Sequence, residues 1–193
     1  MVNAVLSKGK ILMAIFVIVI VAVMAIYASQ KIYLAKSGSS KNLTIGDYAP
    51  DSTFFFANGT EANLSGYKGH EVLLWFVATW CSGCAQGNEL LNSSYKEFGE
   101  HGVKIVELEL YNDLGYSGEN IENFVQDFAP GAYQNNVVIP AYASYNMTLA
   151  YDSQGYLDIY YLISPNGKIL YENGPLEATL PELLSEINRT AGI

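Results

Sequence analysis

The sequence predicts an α/β domain in which a central mixed sheet carries helices on both faces, and two observations lead to it. Along residues 43–193, short strand-like apolar runs alternate with stretches whose apolar positions recur at helical spacing. One of those runs, Val72–Val77 (VLLWFV), is continuously apolar rather than alternating, as a strand buried on both faces must be. A third feature lies upstream: residues 11–28 (ILMAIFVIVIVAVMAIYA) carry no charge, so one transmembrane helix is expected before the domain.

Residues 1–10, with Lys8 and Lys10, read as a cytoplasmic tail. The apolar stretch at 11–28 reaches the lower end of the length that spans a bilayer, about 17–25 residues. A secretory signal has a shorter apolar core, roughly 7–15 residues, and a small-residue cleavage site. No Ala-x-Ala stands here, so the segment reads as an uncleaved signal anchor. Residues 29–42 form a polar tether around Ser-Gly-Ser-Ser, and 43–193 is long enough to bury one core.

Within the domain, Thr53–Leu64 reads as a hairpin turning at Asn58-Gly59, and Val72–Val77 as the buried strand. From Cys81 to Gly99 the spacing is helical, with Leu90, Leu91, Tyr95 and Phe98 as the apolar stripe. Val103–Leu110 is the next strand. Ile121, Phe124, Val125 and Phe128 mark a second helix that Pro130-Gly131 ends. Ile159–Glu172 is a second hairpin, turning at Pro165-Asn166-Gly167. Thr179 and Glu182 form a capping box, with Pro181 in the first turn, opening a last helix that runs to about Asn188.

The chemistry sits where the buried strand gives way to the first helix. Cys81 and Cys84 are the two cysteines of the chain, and their spacing sets them one turn apart at a helix N-terminus. Unpaired N–H groups and the positive end of the helix dipole favour a thiolate there, which makes Cys81 a nucleophile and Cys84 its resolving partner. Three other readings are weaker. A bridge across two residues removes little chain entropy and would be a poor staple. A zinc site needs two more ligands, and the two histidines, His70 and His101, stand at no ligand spacing, so both read as loop residues and no metal is expected. Two inert buried thiols would not be joined by an exposed Ser-Gly turn.

Charge and sequons place the domain. The chain carries −9 overall, and no acid precedes Asp47 while five of ten bases lie at or before Lys41. The remainder is strongly acidic, which repels nucleic acid and anionic lipid. Lysines flank the apolar span evenly, so they leave its orientation open. Asn-x-Ser/Thr sequons break the tie. They begin at Asn42, Asn58, Asn63, Asn92, Asn146 and Asn188, all after the span, where composition predicts about two. The domain is therefore expected outside the cytoplasm, on a single-pass membrane protein with candidate N-glycosylation at those six positions.

The segments IGDYAPDSTFF, NGTEANLSGYKGH and VLLWFVATWCSGC, with YYLISPNGKIL further on, resemble the motifs of membrane-tethered, extracytoplasmic thioredoxin-like proteins. These serve cytochrome maturation and disulfide reduction, and the likeness runs from about Ile45 to Ile187. The resemblance implies a thioredoxin-like fold and thiol–disulfide exchange with protein thiols and disulfides, with no cofactor beyond a redox-active Cys81–Cys84 disulfide. Three positions depart from the family. Asp158 stands where a cis-proline is usual beside the active site, Glu89 replaces a helix-kinking proline, and Trp75 replaces a polar residue six before the first cysteine. Ala78 stands where thiol peroxidases of this fold place threonine, and copper-delivery relatives use a longer Cys-x-x-x-Cys.

Cys81 is thus expected to attack and Cys84 to resolve. Trp80 would shield the pair or simply pack, Gly83 would admit a partner's backbone or merely start the helix, and Thr79 has no assigned role. Asp158, if it lies beside Cys81, would oppose the thiolate. The competing reading is a redox-inert binding or assembly module, or a metallochaperone, that kept the fold. Oligomeric state is not legible.

Overall fold

The computed structural model describes residues 16–24 and 43–191, and the chain divides into two units, Met1–Ser40 and Lys41–Ile193. In the first, residues 16–24 are helical and exposed. Among the described residues no helix is long and apolar enough to cross a membrane. The tail at 1–10, the tether at 29–42 with Asn42, and half of the expected span at 11–28 lie outside the described residues.

The second unit is built on a seven-stranded sheet. Its strands are β1 Thr53–Phe56, β2 Glu61–Asn63, β3 Val72–Val77, β4 Lys104–Glu109, β5 Val138–Ala143, β6 Ile159–Ile163 and β7 Ile169–Asn173. In space they run β2-β1-β5-β4-β3-β6-β7. The central β5, β4 and β3 are parallel and their outer neighbours antiparallel, so the sheet is mixed as expected. The helices of this unit are α1 Ser82–Glu100, α2 Ile121–Phe128, α3 Pro130–Gln134, α4 Tyr145–Tyr151 and α5 Leu176–Ala191.

Alternation along the strands gives the sheet two apolar faces. Leu73, Trp75 and Val77 pack under α1, α2 and α5, while Leu74 and Phe76 pack with Met147 and Tyr151 of α4 on the other side. All six residues of β3 are buried, which is why the run lacks a polar position.

Three local expectations are corrected. The region between the second helix and the second hairpin holds α3, β5 and α4; the proline that ends α2 also opens α3, and Asn92 Oδ1 accepts from Gly131 N (2.7 Å) and Ala132 N (3.1 Å) there. β5 contains Pro140, which weakens a strand reading although the strand lies inside the sheet. On α1 the buried line is Cys84, Gly87, Asn88, Leu91 and Phe98, with Leu90 turned outward at 42% exposure, one residue's rotation off that line. The last helix begins at Leu176, whose N–H is held by Asp158 Oδ1 at 3.1 Å. Thr179 is therefore inside the helix, its hydroxyl donating to Pro175 O at 2.8 Å, and the expected capping box is not the start.

Candidate active site

The exit from β3 builds the site. The chain turns tightly after the strand, with Cys81 N donating to Ala78 O at 3.0 Å, and α1 starts at Ser82. Cys81 is the N-cap: its backbone is extended, and its sulfur accepts the N–H of Cys84 at 3.2 Å. Cysteine thus occupies the place usually held by serine or aspartate, and a thiolate there meets an unpaired helix N–H. Both sulfurs are free thiols, Cys81 half-buried and Cys84 fully buried. Burial pushes the Cys84 thiol far up, and the hydrogen bond with Cys81 and the nearby charge of Asp158 push the same way, against a backbone hydrogen bond from Ala78. One sulfur is presented and the other is held protonated.

A loop from β4 steadies the approach to this turn. Asn112, Asp113 and Leu114 adopt left-handed backbone angles in succession, and the buried Asp113 meets the turn that follows β3. Its Oδ1 accepts Thr79 N at 3.0 Å and its Oδ2 lies 2.9 Å from Thr79 Oγ1. The Asp113 carbonyl accepts Trp80 Nε1 at 2.9 Å. Trp80, 39% exposed, leans on Tyr116 with ring centroids 4.8 Å apart. Gly118 crosses directly over the Thr79–Asp113 pair, where a Cβ would collide with Asp113 Oδ2 and Thr79 Oγ1. Thr79 therefore anchors the active-site turn.

Carboxyl groups lie under and beside the cysteines. Asp158, only 2% exposed, enters β6 with a left-handed backbone and accepts Trp75 Nε1 at 2.6 Å through Oδ1, the same oxygen that holds Leu176 N. Glu177, next in α5, reaches both Asp158 and the cysteine turn: its Oε1 would be 3.3 Å from a Cβ on Gly83. Asp158 Oδ2 and Glu177 Oε2 are both buried, and neither accepts a hydrogen bond from a protein donor. Burial first, and Glu177 second, push Asp158 up to about 7. Glu107 sits beside Trp75 in register, its Oε1 accepting Asn88 Nδ2 at 2.7 Å, and burial pushes it up to about 8. Among the described residues, no three histidine, cysteine, aspartate or glutamate side chains are grouped to hold a metal ion.

This arrangement of strand, N-capping cysteine and buried second cysteine can be set against known proteins. The family model described as Redoxin matches residues 44–185. The chain belongs to the redoxin family. The thiol-disulfide oxidoreductase ResA of Bacillus subtilis (strain 168) is 30% identical over 139 residues, covering 72% of this chain and 72% of that protein. Two solved structures show the same fold. A Chlorobium tepidum protein assigned as the thiol:disulfide interchange protein DsbE covers 78% of this chain and 99% of its own at 24% identity and TM-score 0.60. BsSco, a member of the Sco family of cytochrome c oxidase assembly proteins, covers 80% and 99% at 15% identity and TM-score 0.58. The chain is a thioredoxin-like thiol-disulfide oxidoreductase.

The residues singled out in sequence fall into two groups in this redoxin. Cys81, Cys84, Trp80, Gly83 and Asp158 come together around the turn, although the thiol on which the Asp158 charge acts is Cys84. Gly83 looks toward Glu177 and Cys81 Sγ. The sequon asparagines are dispersed. Asn58 lies in the β1–β2 turn and Asn63 ends β2, both exposed. Asn92, Asn146 and Asn188 lie in helices, and Asn188 Nδ2 donates to Glu97 Oε1 at 3.0 Å. Asp113, Glu107 and Glu177 are site residues that no linear spacing reveals. Only the folded sheet brings positions 113, 107 and 177 near residues 79, 75 and 83.

Proposed function

We propose that this redoxin exchanges dithiol for disulfide with protein partners outside the cytoplasm, held at the membrane by residues 11–28. The observation that supports the exchange is the asymmetry of the pair: a half-exposed Cys81 sulfur on a helix N-terminus above a buried Cys84. The Cys81 thiolate attacks one sulfur of a partner disulfide, forming a mixed disulfide and releasing the partner's other sulfur as a thiolate. Cys84 then loses its proton, attacks Cys81 Sγ, and expels the second partner thiolate, which takes up a proton. Two electrons pass from the pair to the partner, and each step is reversible.

The extracytoplasmic location rests on the uncharged span and on six sequons downstream of it. Asn58 and Asn63, exposed and outside helices, are the sequon positions best suited to carry a glycan. The test uses full-length Cys84→Ser in membranes, which should accumulate mixed disulfides through Cys81 that reductant releases. Absence of any such adduct, with Cys81 still accessible to alkylation, would refute exchange. Protease added to intact cells should digest the domain, and full protection would refute the orientation.

A further inference from the structure

Beside the cysteine turn, at the ends of β4 and β5, lies a cavity of about 380 Å³. Three of its lining residues, Phe55, Tyr142 and Glu109, stand in one cross-strand row that continues to Val77 beneath. Phe55 of β1 stands opposite Tyr142 of β5, Tyr142 opposite Glu109 of β4, and Glu109 opposite Val77 of β3. Tyr111 and Tyr145, from the segments after β4 and β5, form the wall and meet edge to face at 5.5 Å. Both tyrosines are about half exposed and Phe55 is 36% exposed, so the box opens to solvent.

The box holds one carboxylate and no counter-charge. Glu109 forms no ion pair with any cation among the described residues. The charges that face it are also negative: Asp113 bears on Glu109 from the loop, and Glu122 of α2 bears on Tyr142. Burial and Asp113 push the Glu109 carboxyl up to about 7, which is the cost of an acid held beside aromatic rings without a partner. Tyrosine faces around a carboxylate attract a cation twice over, through the ring quadrupole and through charge.

We propose that this cavity binds a lysine or arginine side chain of the polypeptide whose cysteine reacts with Cys81. The inference deepens the exchange reading by naming the substrate class, cysteine-containing segments with a nearby basic residue. Geometry links the two sites. Glu109 lies beside Val77, four residues before Cys81, and Tyr111 and Asp113 belong to the loop that holds Thr79 and Trp80. Three or four extended residues of a bound peptide reach roughly 10–13 Å from its cysteine. The acidity of the domain favours the same partner, since five bases face 19 acids after Lys41.

The experiment uses the full-length chain in detergent at pH 8, where Glu109 is ionised. Short peptides carrying one cysteine as a mixed disulfide with glutathione, and arginine, glutamine or glutamate two to four positions away, are compared by the second-order rate constant with which the pre-reduced protein, in excess, reduces them in a single turnover. Arginine should exceed glutamine by about five- to tenfold at low salt, and the ratio should shrink as salt rises. In Glu109→Gln the arginine-to-glutamine ratio should fall to about one, and in Tyr145→Ala it should fall part of the way. A ratio near one in the wild type, or one that persists in Glu109→Gln, overturns the proposal. Fluorescence anisotropy of labelled peptides with serine for cysteine separates this from the chemistry. Arginine-dependent binding without turnover would keep the cation site and refute exchange, whereas turnover with no arginine preference in rate or binding would do the reverse.

Discussion

Replacing Asp158 by asparagine keeps the shape of the side chain and removes a charge that the fold tolerates poorly. Its carboxyl rises from 3.8 to about 7 because it is buried and because Glu177 adjoins it. The folded protein therefore binds more protons than the unfolded chain between about pH 4 and 7, and stability falls as pH rises through that window. The full span corresponds to about 4 kcal/mol of preference for the protonated form. An asparagine oxygen still accepts from Trp75 Nε1 and Leu176 N, but more weakly than a carboxylate, which takes back about 1–2 kcal/mol. Asp158→Asn should accordingly stabilise the domain by about 2–3 kcal/mol at pH 8, several degrees in Tm, and leave it unchanged or slightly weaker at pH 4.5. Thermal unfolding at the two pH values measures the difference directly. Equal effects at both, or destabilisation that grows with pH, would refute a raised Asp158 carboxyl in the folded protein.

Two further outcomes follow from burial and close contact. In the reduced protein, iodoacetamide should label Cys81 at least tenfold faster than Cys84, because the second sulfur is fully buried and held protonated; mass spectrometry of timed samples reads the order, and comparable rates would remove the asymmetry on which exchange depends. Gly118→Ala should destabilise the protein by roughly 1–3 kcal/mol and slow Cys81 exchange, since its Cβ would collide with Asp113 Oδ2 and Thr79 Oγ1; an unaltered melting temperature would show that this loop does not brace the turn.

What could be read from the sequence was whatever local pattern alone determines. The continuous apolar run of β3 and the helical spacing after Cys81 located the cysteine turn, because burial on both faces and a 3.6-residue period leave direct marks. The hairpin turns at Asn58-Gly59 and Pro165-Asn166-Gly167 announced themselves through left-handed glycines. β5 did not, since its proline contradicts a central strand and its short alternating pattern is mimicked by many loops. The start of α5 was misread because its first N–H is held by Asp158, eighteen residues upstream, rather than by a local cap. Trp75 and Asp158 each looked like a departure from the family when taken singly. The structure joins them by a 2.6 Å hydrogen bond, so a polar group absent from position 75 is supplied from position 158.

The two tryptophans that bracket this chemistry also make it visible. Trp75 is wholly enclosed, its indole N–H fixed on a titrating carboxyl, whereas Trp80 stands partly in water next to the reactive sulfur. Enclosure holds indole emission to the blue and water moves it to the red, so single Trp75→Phe and Trp80→Phe variants tell the two rings apart. In Trp80→Phe the remaining emission should change as the Asp158 carboxyl gains its proton, and in Trp75→Phe it should change as the neighbouring sulfur is bridged or freed.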